Sequence, residues 1–325
     1  MASSTRDTLR LPVQRSELAV PASNDRFIRK AAQSAADAIF LDLEDAVAPA
    51  MKEKARTMAI DALNDIDWGN RQMAVRVNAL DTPWACRDII ELAARAPRLD
   101  LILLPKAGSA RDVEFVDRLI TGIEREADRA APLGIEVLIE TAAGVANVEA
   151  IAASSTRLEA MIFGLGDYSI EMRTFDFAIG RPSDRYAVDG PDGAFLNDQW
   201  HFALARIANA CRANGLRPID GPYAEFADPI GYRAAARRAA ALGFEGKWAI
   251  HPSQIVMANE VFTPRDDQIR WANDVMAALD AATEAGSGAV AVDGMLIDLA
   301  HGKMARSVID RAEIITRFQQ GAGRR

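Results

Sequence analysis

Short apolar runs alternate along the chain with longer stretches whose apolar residues recur at helical spacing. The runs fall at residues 16–20, 38–43, 72–77, 99–104, 135–139, 161–166, 217–220 and 246–250. Helical patterns lie between them, at 24–34, 51–64, 84–94, 110–126, 200–214 and 229–242. Such alternation predicts βα units and a parallel sheet. Eight candidate strands within about 240 residues match one (β/α)8 TIM barrel, for which ~250 residues are typical. A doubly wound open sheet is the other architecture, but it usually carries a glycine-rich phosphate turn after its first strand. Pro21-Ala22-Ser23-Asn24 is not such a turn. Local signals agree with the pattern: Ser23 or Asn24 can cap the first helix, Pro49 precedes the second, and Gly215 follows the helix at 200–214.

Two stretches break the repeat. Residues 171–195 form a long insertion rich in Arg, Asp, Gly and Pro, placed just after the sixth run, and a loop of that length is usually functional or disordered. From residue 264 onward a C-terminal extension holds a helix at 266–285, two alternating segments at 289–292 and 295–298 joined by Asp293-Gly294, and a last helix towards Phe318. Asp-Gly between alternating segments predicts a hairpin. The expected division is therefore a catalytic barrel over 1–263 and an extension over 264–325. The extension is too small for a core of its own, so it is expected to act as a lid and oligomer contact.

Composition narrows the function. Half of the 325 residues are hydrophobic and 26% are charged, which supports a large core. A net charge of -8 argues against a general nucleic-acid binder. Cys86 and Cys211 lie far apart with no metal-ligand spacing, so both are expected as free thiols in a reducing, cytoplasmic setting. No run approaches membrane-spanning length, and MASSTRDTLR has no signal-peptide core, which leaves a flexible N-terminus as the expectation.

The chemistry gathers where the strands end. Parallel barrels place active sites at the carboxyl ends of their strands, and those ends carry Glu44 and Asp45, Arg76 and Asn78, Lys106, Glu140, Asp167, Asp220 and His251. Polar residues closing one strand are ordinarily loop solvation, yet here acids and cations converge on one rim. Glu140 and Asp167 are the candidate metal pair: two hard oxygen ligands with room for water suit Mg²⁺. Gly164 and Gly166 allow close backbone approach. Arg76 can grip a carboxylate in its fork, or pair with Glu44 or Asp45. Lys106 is open to a Schiff-base role, although nothing beside it in sequence lowers its pKa. His251 reads as a base or as a pin for its loop.

Together these residues resemble the citrate lyase β-subunit/HpcH aldolase superfamily over nearly the whole chain. The landmarks are VPASN (20–24), FLDLEDAVAP (40–49), VRVN (75–78), LLPK (103–106), IETAAG (139–144), GLGDYS (164–169) and KWAIHPSQ (247–254). NALDTPW (78–84), PIDGPYAEFAD (218–228), GKWAIHP and ANEVFTP (258–264) carry a closer resemblance to its malyl-CoA/β-methylmalyl-CoA lyase branch. The resemblance implies a TIM barrel, Mg²⁺ (with Mn²⁺ as a substitute), a CoA thioester and glyoxylate as partners, and a homotrimer or homohexamer with shared sites. It places the metal on Glu140 and Asp167, the substrate arginine on Arg76, and the acids that order water and arginine on Glu44 and Asp45. It places the acid–base carboxylate on Asp298, given by a neighbouring subunit. Read from the sequence alone, Asp298 is only the acid that ends a hairpin strand and caps the last helix. For CoA the resemblance offers Ser23, Arg26, Lys106 and Pro252. Ala22 stands where glycine is common in the family, and together with the 171–195 insertion it leaves substrate preference open. The implied reaction is reversible Claisen-type cleavage of (S)-malyl-CoA. A malyl-CoA thioesterase, a citramalyl-CoA or citryl-CoA lyase, and a CoA-binding scaffold remain as alternatives.

Overall fold

Eight strands close into a parallel barrel in the computed structural model, which describes residues 13–175, 179–183, 185–191, 193–196 and 198–321. The N-terminal tail lies outside the described residues. The strands are β1 (Ser16–Pro21), β2 (Ala38–Asp42), β3 (Gln72–Arg76), β4 (Leu101–Leu104), β5 (Gly134–Ile139), β6 (Leu158–Phe163), β7 (Ala187–Gly190), β8 (Gly193–Leu196), β9 (Arg217–Asp220), β10 (Gly246–Ala249), β11 (Ala289–Val292) and β12 (Met295–Asp298). The barrel order is β1-β10-β9-β6-β5-β4-β3-β2, while β7–β8 and β11–β12 are separate antiparallel pairs. The helices are α1 (Asp25–Ala31), α2 (Lys52–Asp65), α3 (Ala85–Arg95), α4 (Ala110–Glu126), α5 (Ala142–Ala146), α6 (Val148–Ala152), α7 (Leu165–Glu171), α8 (His201–Asn214), α9 (Pro229–Ala241), α10 (Pro252–Val261), α11 (Asp266–Glu284) and α12 (Leu299–Gln319).

The barrel interior follows from the two-residue period of a strand. Phe40, Ala74, Leu101, Leu103, Leu138, Ala160, Ile162, Ile219 and Trp248 form one buried apolar cluster, with Ala19 against it. The next inward position on a strand lies two residues on, at the mouth. That step carries Phe40 to Asp42, Ala74 to Arg76 and Leu138 to Glu140. The helix boundaries also have local causes. Asn24 caps α1 by accepting from Phe27 N (3.2 Å). Gly215 ends α8 with φ +67°, a conformation that costs glycine little.

Two expectations change. The 171–195 insertion is not plain loop, since it contains the β7–β8 hairpin, whose register runs from Ala187↔Leu196 to Gly190↔Gly193. α10 was also absent from the sequence pattern, because its polar and apolar residues show little helical sidedness.

The chain divides into two compact units between Glu260 and Val261. The second has a small core of its own, contrary to the expectation from its length: α11 and α12 pack on the β11–β12 hairpin around Ala272, Val275, Ile297 and Ala305, with Trp271, Leu279 and Val308 among the flanking apolar residues. Among the described residues, no helix is long and apolar enough to cross a membrane.

Candidate active site

Strand register sets the first pair of the site. Asp42 and Arg76 are opposite neighbours on β2 and β3, and both point into the mouth. Arg76 Nε donates to Asp42 Oδ1 and Nη2 to Asp42 Oδ2, each at 2.7 Å. The remaining edge of the guanidinium meets acids on the β2–α2 loop, with Nη1 3.1 Å from Glu44 Oε2 and 3.6 Å from Asp45 Oδ2. Asp42 also accepts from Glu44 N (2.8 Å) and Ala46 N (3.1 Å), so one carboxylate shapes both the arginine and the loop. Arg76 thus pairs with Glu44 and Asp45 as its sequence position allowed, while the carboxylate in its fork is Asp42, a residue absent from the candidates read from the sequence. Burial alone would lower the Arg76 pKa. The charge and hydrogen bonds of Asp42, then Glu44 and Asp45, outweigh burial and hold it above its ordinary value.

Across the mouth, β5 ends at Glu140, whose carboxyl is buried. Lys106 N donates to Glu140 Oε1 (2.8 Å) from a left-handed backbone with φ +54°. Gly164 makes room for this carboxyl: a Cβ at that position would collide with Cβ and Oε2 of Glu140. Gly166 is not needed in the same way, since a Cβ there meets only Ile179 Cδ1 at 3.5 Å. Asp167 sits one turn further on, inside α7. Lys106 Nζ joins the acids, 2.9 Å from Glu44 Oε1 and 3.5 Å from Asp167 Oδ2.

The electrostatics show a site short of positive charge. Burial first, then the charges of Glu44 and Asp167, push Glu140 up to about 8 against the opposing influence of Arg76 and the Lys106 N–H. Burial likewise raises Glu44, with Arg76 pulling the other way. Burial would depress Lys106, but the Glu44 hydrogen bond and charge, then Asp167 and Asp45, hold it above its ordinary value. That environment does not favour the free amine that Schiff-base chemistry needs.

These groups open onto a cavity of about 630 Å³. Asp42, Asp45, Arg76, Glu140 and Asp167 form its polar side. Its floor includes Phe40, Leu138 and Trp248, and its apolar walls include Val20, Pro21, Ile170, Ile179, Pro222 and Ile250. Thr174 and Ile179 bring the start of the insertion to the rim beside Ile170.

The profile of the HpcH/HpaI aldolase/citrate lyase family matches residues 15–252. The chain belongs to this family. It is 47% identical over 303 residues to the L-malyl-CoA/β-methylmalyl-CoA lyase of Cereibacter sphaeroides, covering 93% of this chain and 95% of the relative. It is 38% identical over 304 residues to a (3S)-malyl-CoA thioesterase of the same organism, covering 94% and 96%. Among solved structures it is similar to the protein CitE of Mycobacterium tuberculosis in complex with magnesium, acetoacetate and coenzyme A. That match has a TM-score of 0.73 and 30% identity, and covers 94% of this chain and 99% of the other.

For this family member, the fit of a divalent cation can be judged from the donor set. No three His, Cys, Asp or Glu side chains among the described residues are arranged as a metal site. Glu140 and Asp167 nevertheless suffice in kind: Mg²⁺ keeps several waters and commonly takes only one or two carboxylates. After burial, the charges of Glu44 and Asp167 raise Glu140, and a bound cation would offset those charges, so the residues present fit a hard divalent ion.

Other expected site residues stand elsewhere. Asp220 accepts from Lys247 Nζ (2.6 Å) and from Gly221 N (2.9 Å), making it part of the barrel wall. Asn78 is bound to Asp88 (Nδ2 to Oδ2, 2.6 Å). His251 is exposed, stacks on Phe226 at 4.7 Å between centroids, and has Nδ1 2.8 Å from Ser253 Oγ, as a loop pin would. Of the residues offered for CoA, Ser23 is half-buried, and Arg26 and Pro252 are exposed. They follow β1 and β10, which are neighbours in the barrel, but none of the three lines the cavity. Lys106 instead spends its ammonium on Glu44 and Asp167. Asp298 lies in the second unit as the N-cap of α12, where Oδ1 accepts from Ala300 N (3.0 Å) and lies 2.7 Å from His301 Nδ1. It is exposed, with Leu296 and Leu299 exposed beside it.

Proposed function

We propose that the protein is a magnesium-dependent carbon–carbon lyase. It cleaves (S)-malyl-CoA reversibly to acetyl-CoA and glyoxylate, and β-methylmalyl-CoA to propionyl-CoA and glyoxylate. The observation that carries this reading is the convergence of Glu140, Asp167 and Arg76 in one cavity at the carboxyl mouth of a family barrel. Glu140 and Asp167 would hold Mg²⁺, with Mn²⁺ able to replace it. When bound there, the ion supplies a Lewis acid for the carbonyl oxygen of glyoxylate.

The chain's own residues supply the rest. Asp42 and Glu44 fix Arg76 on the cavity wall, where its positive charge stabilises charge that develops on oxygen, a preorganised arrangement that favours the transition state. In condensation, the Asp298 carboxylate takes a proton from the thioester α-carbon. The released electron pair forms the new C–C bond at the aldehyde carbon of glyoxylate, and the aldehyde oxygen takes up the proton held by Asp298 to become the hydroxyl of the product. In cleavage that hydroxyl gives its proton to Asp298, the C–C bond breaks, and Asp298 returns the proton to the α-carbon. The apolar walls around Ile170, Ile179 and Ile250 exclude water from this exchange. They also suit the extra methyl of a propionyl group.

Asp298 is assigned here to a neighbouring copy, in a homotrimer or homohexamer. Exposed Met295, Leu296, Leu299 and Met304 give the segment around it an apolar face suited to a lid. The extension from 264 is read as that lid. Ser23, Arg26 and Pro252 are assigned to CoA at the adjoining β1 and β10 rim, and Lys106 to the same ligand once a cation has displaced its ammonium from the acids. A cytoplasmic location fits the free cysteines, Cys86 exposed and Cys211 buried.

The test is product analysis. Acetyl-CoA or propionyl-CoA with glyoxylate and Mg²⁺ should yield the corresponding malyl-CoA, and chelation followed by dialysis should stop the reaction. Release of free malate and CoA from malyl-CoA, with no glyoxylate, would instead mark a thioesterase.

A further inference from the structure

The innermost ring of the barrel is polar. β1, β3, β5 and β9 each place a buried side chain there, namely Glu17, Gln72, Glu136 and Arg217. Bulky branched residues ordinarily fill such layers. Glu17 Oε1 and Glu136 Oε2 are buried with no hydrogen-bond partner, and each carboxyl has its second oxygen engaged, by Trp248 Nε1 and by Gln14 Nε2 (2.8 Å) respectively. Burial, then the charge of Glu136, holds Glu17 well above the usual carboxylate range. Nothing in the proposed chemistry uses this pair.

The connection runs upward through Trp248, the aromatic residue of the GKWAIHP motif. Glu17 and Trp248 are opposite neighbours on β1 and β10, and Trp248 Nε1 donates to Glu17 Oε2 (2.7 Å). The Trp248 ring lies 4.5 Å from that of Phe40, at 36°. The Arg76 guanidinium carbon is 5.8 Å from each ring centroid. Asp42 and Glu44 hold the edges of the guanidinium, and the two rings support its face. A tryptophan whose buried N–H loses its acceptor must leave that donor unpaired or turn the indole to find another partner. Either change alters the shelf beneath Arg76 and the cavity floor.

We infer that Glu17 is a positioning residue: through the Trp248 N–H it fixes the aromatic shelf that aims Arg76 into the cavity. The inference rests on the lyase reading above, and it assigns a role to a residue buried beneath the cavity. Because Arg76 acts on charge that develops during reaction, the effect should fall on kcat more than on KM.

The test uses the full-length enzyme and (S)-malyl-CoA cleavage. Glu17→Met should lower kcat roughly tenfold with KM nearly unchanged. Glu17→Gln should stay within about twofold, since the amide oxygen can accept from Trp248 Nε1 as the carboxyl does. Trp248→Phe keeps a ring on the shelf and removes the N–H, so it should show a loss similar to that of Glu17→Met. The double variant Glu17→Met/Trp248→Phe should be no worse than the poorer single variant. Near-UV circular dichroism gives a readout independent of turnover: Glu17→Met should lose the band that Trp248→Phe identifies as Trp248. A folded Glu17→Met enzyme with a lower melting temperature but wild-type kcat overturns the inference, as do additive losses in the double variant. If Glu17→Met does not fold, Trp248→Phe with wild-type kcat overturns it. A wild-type protein that cleaves no malyl-CoA removes the lyase reading instead, and an unchanged Trp248 band in Glu17→Met then still overturns the positioning role.

Discussion

Asp42 grips Arg76 through two hydrogen bonds of 2.7 Å between side chains that strand register places directly opposite each other. Asp42 also accepts two backbone N–H groups from the loop that carries Glu44. Asp42→Asn cannot offer two carboxylate oxygens to the fork, and it leaves a buried guanidinium with less compensation. The variant should lose about 3 kcal/mol of stability, the lower end for breaking a buried ion pair. Its kcat should fall by at least about 100-fold, because a misaimed arginine weakens the transition state more than the ground state. Urea unfolding and steady-state kinetics on the same preparation check both effects. An enzyme within about threefold of wild-type kcat would show that Glu44 alone can aim Arg76.

Gly164 is required by volume rather than by backbone conformation. Gly164→Ala drives a methyl group into the Glu140 carboxyl, so either the strand end or the carboxyl must move. The expected cost is ~1–3 kcal/mol, as for other overpacked sites. Isothermal titration should show magnesium affinity falling by about tenfold or more, since a displaced carboxylate is a poor ligand. Gly166→Ala should differ in stability: it adds an ordinary contact at 3.5 Å inside α7, where alanine is favoured over glycine by ~1 kcal/mol. Thermal unfolding of the two variants side by side separates the cases.

The raised Glu140 pKa gives a pH signature. In the folded, metal-free protein this carboxyl holds its proton up to about 8, whereas in the unfolded chain it ionises in the ordinary carboxylate range. Its contribution to stability is therefore fully present below the unfolded pKa and is lost as pH rises through about 8. Cation binding runs the other way, because the ligand must be ionised. Magnesium affinity should climb by up to about tenfold per pH unit towards pH 8 and level off above it. Titration calorimetry in buffers of different ionisation enthalpy should detect close to one proton released below the plateau. Glu140→Gln should abolish that proton release. Affinity that is flat with pH in the wild type would contradict the assignment.

Much of this was readable from the chain because the barrel repeats one rule. Each strand is a short apolar run, and a charged residue just past its end points to the mouth. That rule found Arg76, Glu140 and Asp167. It missed Asp42 because Glu44 and Asp45, just beyond it, read as the acids closing that run, although the two-residue step from Phe40 places it inward beside Arg76. The same rule overreached at Asp220 and Asn78, whose partners Lys247 and Asp88 lie on other elements and take them out of the cavity. The insertion looked like loop because its composition is polar. The Asp189-Gly190 and Asp192-Gly193 pairs were the available hairpin signals. The polar ring of Glu17, Gln72, Glu136 and Arg217 was hidden because a buried charge among apolar residues has no one-dimensional pattern. Only closure of the barrel brings those four strands together.

Asp298 provides the sharpest test of a shared site. As the N-cap of α12 it accepts from Ala300 N and His301 N, and asparagine caps helices about as well as aspartate. Asp298→Asn should therefore unfold within ~0.5 kcal/mol of wild type and bind magnesium unchanged, while its kcat falls by about 1,000-fold or more, because an amide cannot take the α-proton. Glu140→Gln should be comparably inactive through loss of the metal ligand. If the site joins Asp298 of one copy to the barrel of another, mixed oligomers of the two variants contain some sites with both Glu140 and Asp298 intact. Co-expression, or dissociation and reassembly of the two inactive proteins, should then restore measurable turnover. If each chain used its own Asp298, every site in the mixture would lack one group and no activity would return.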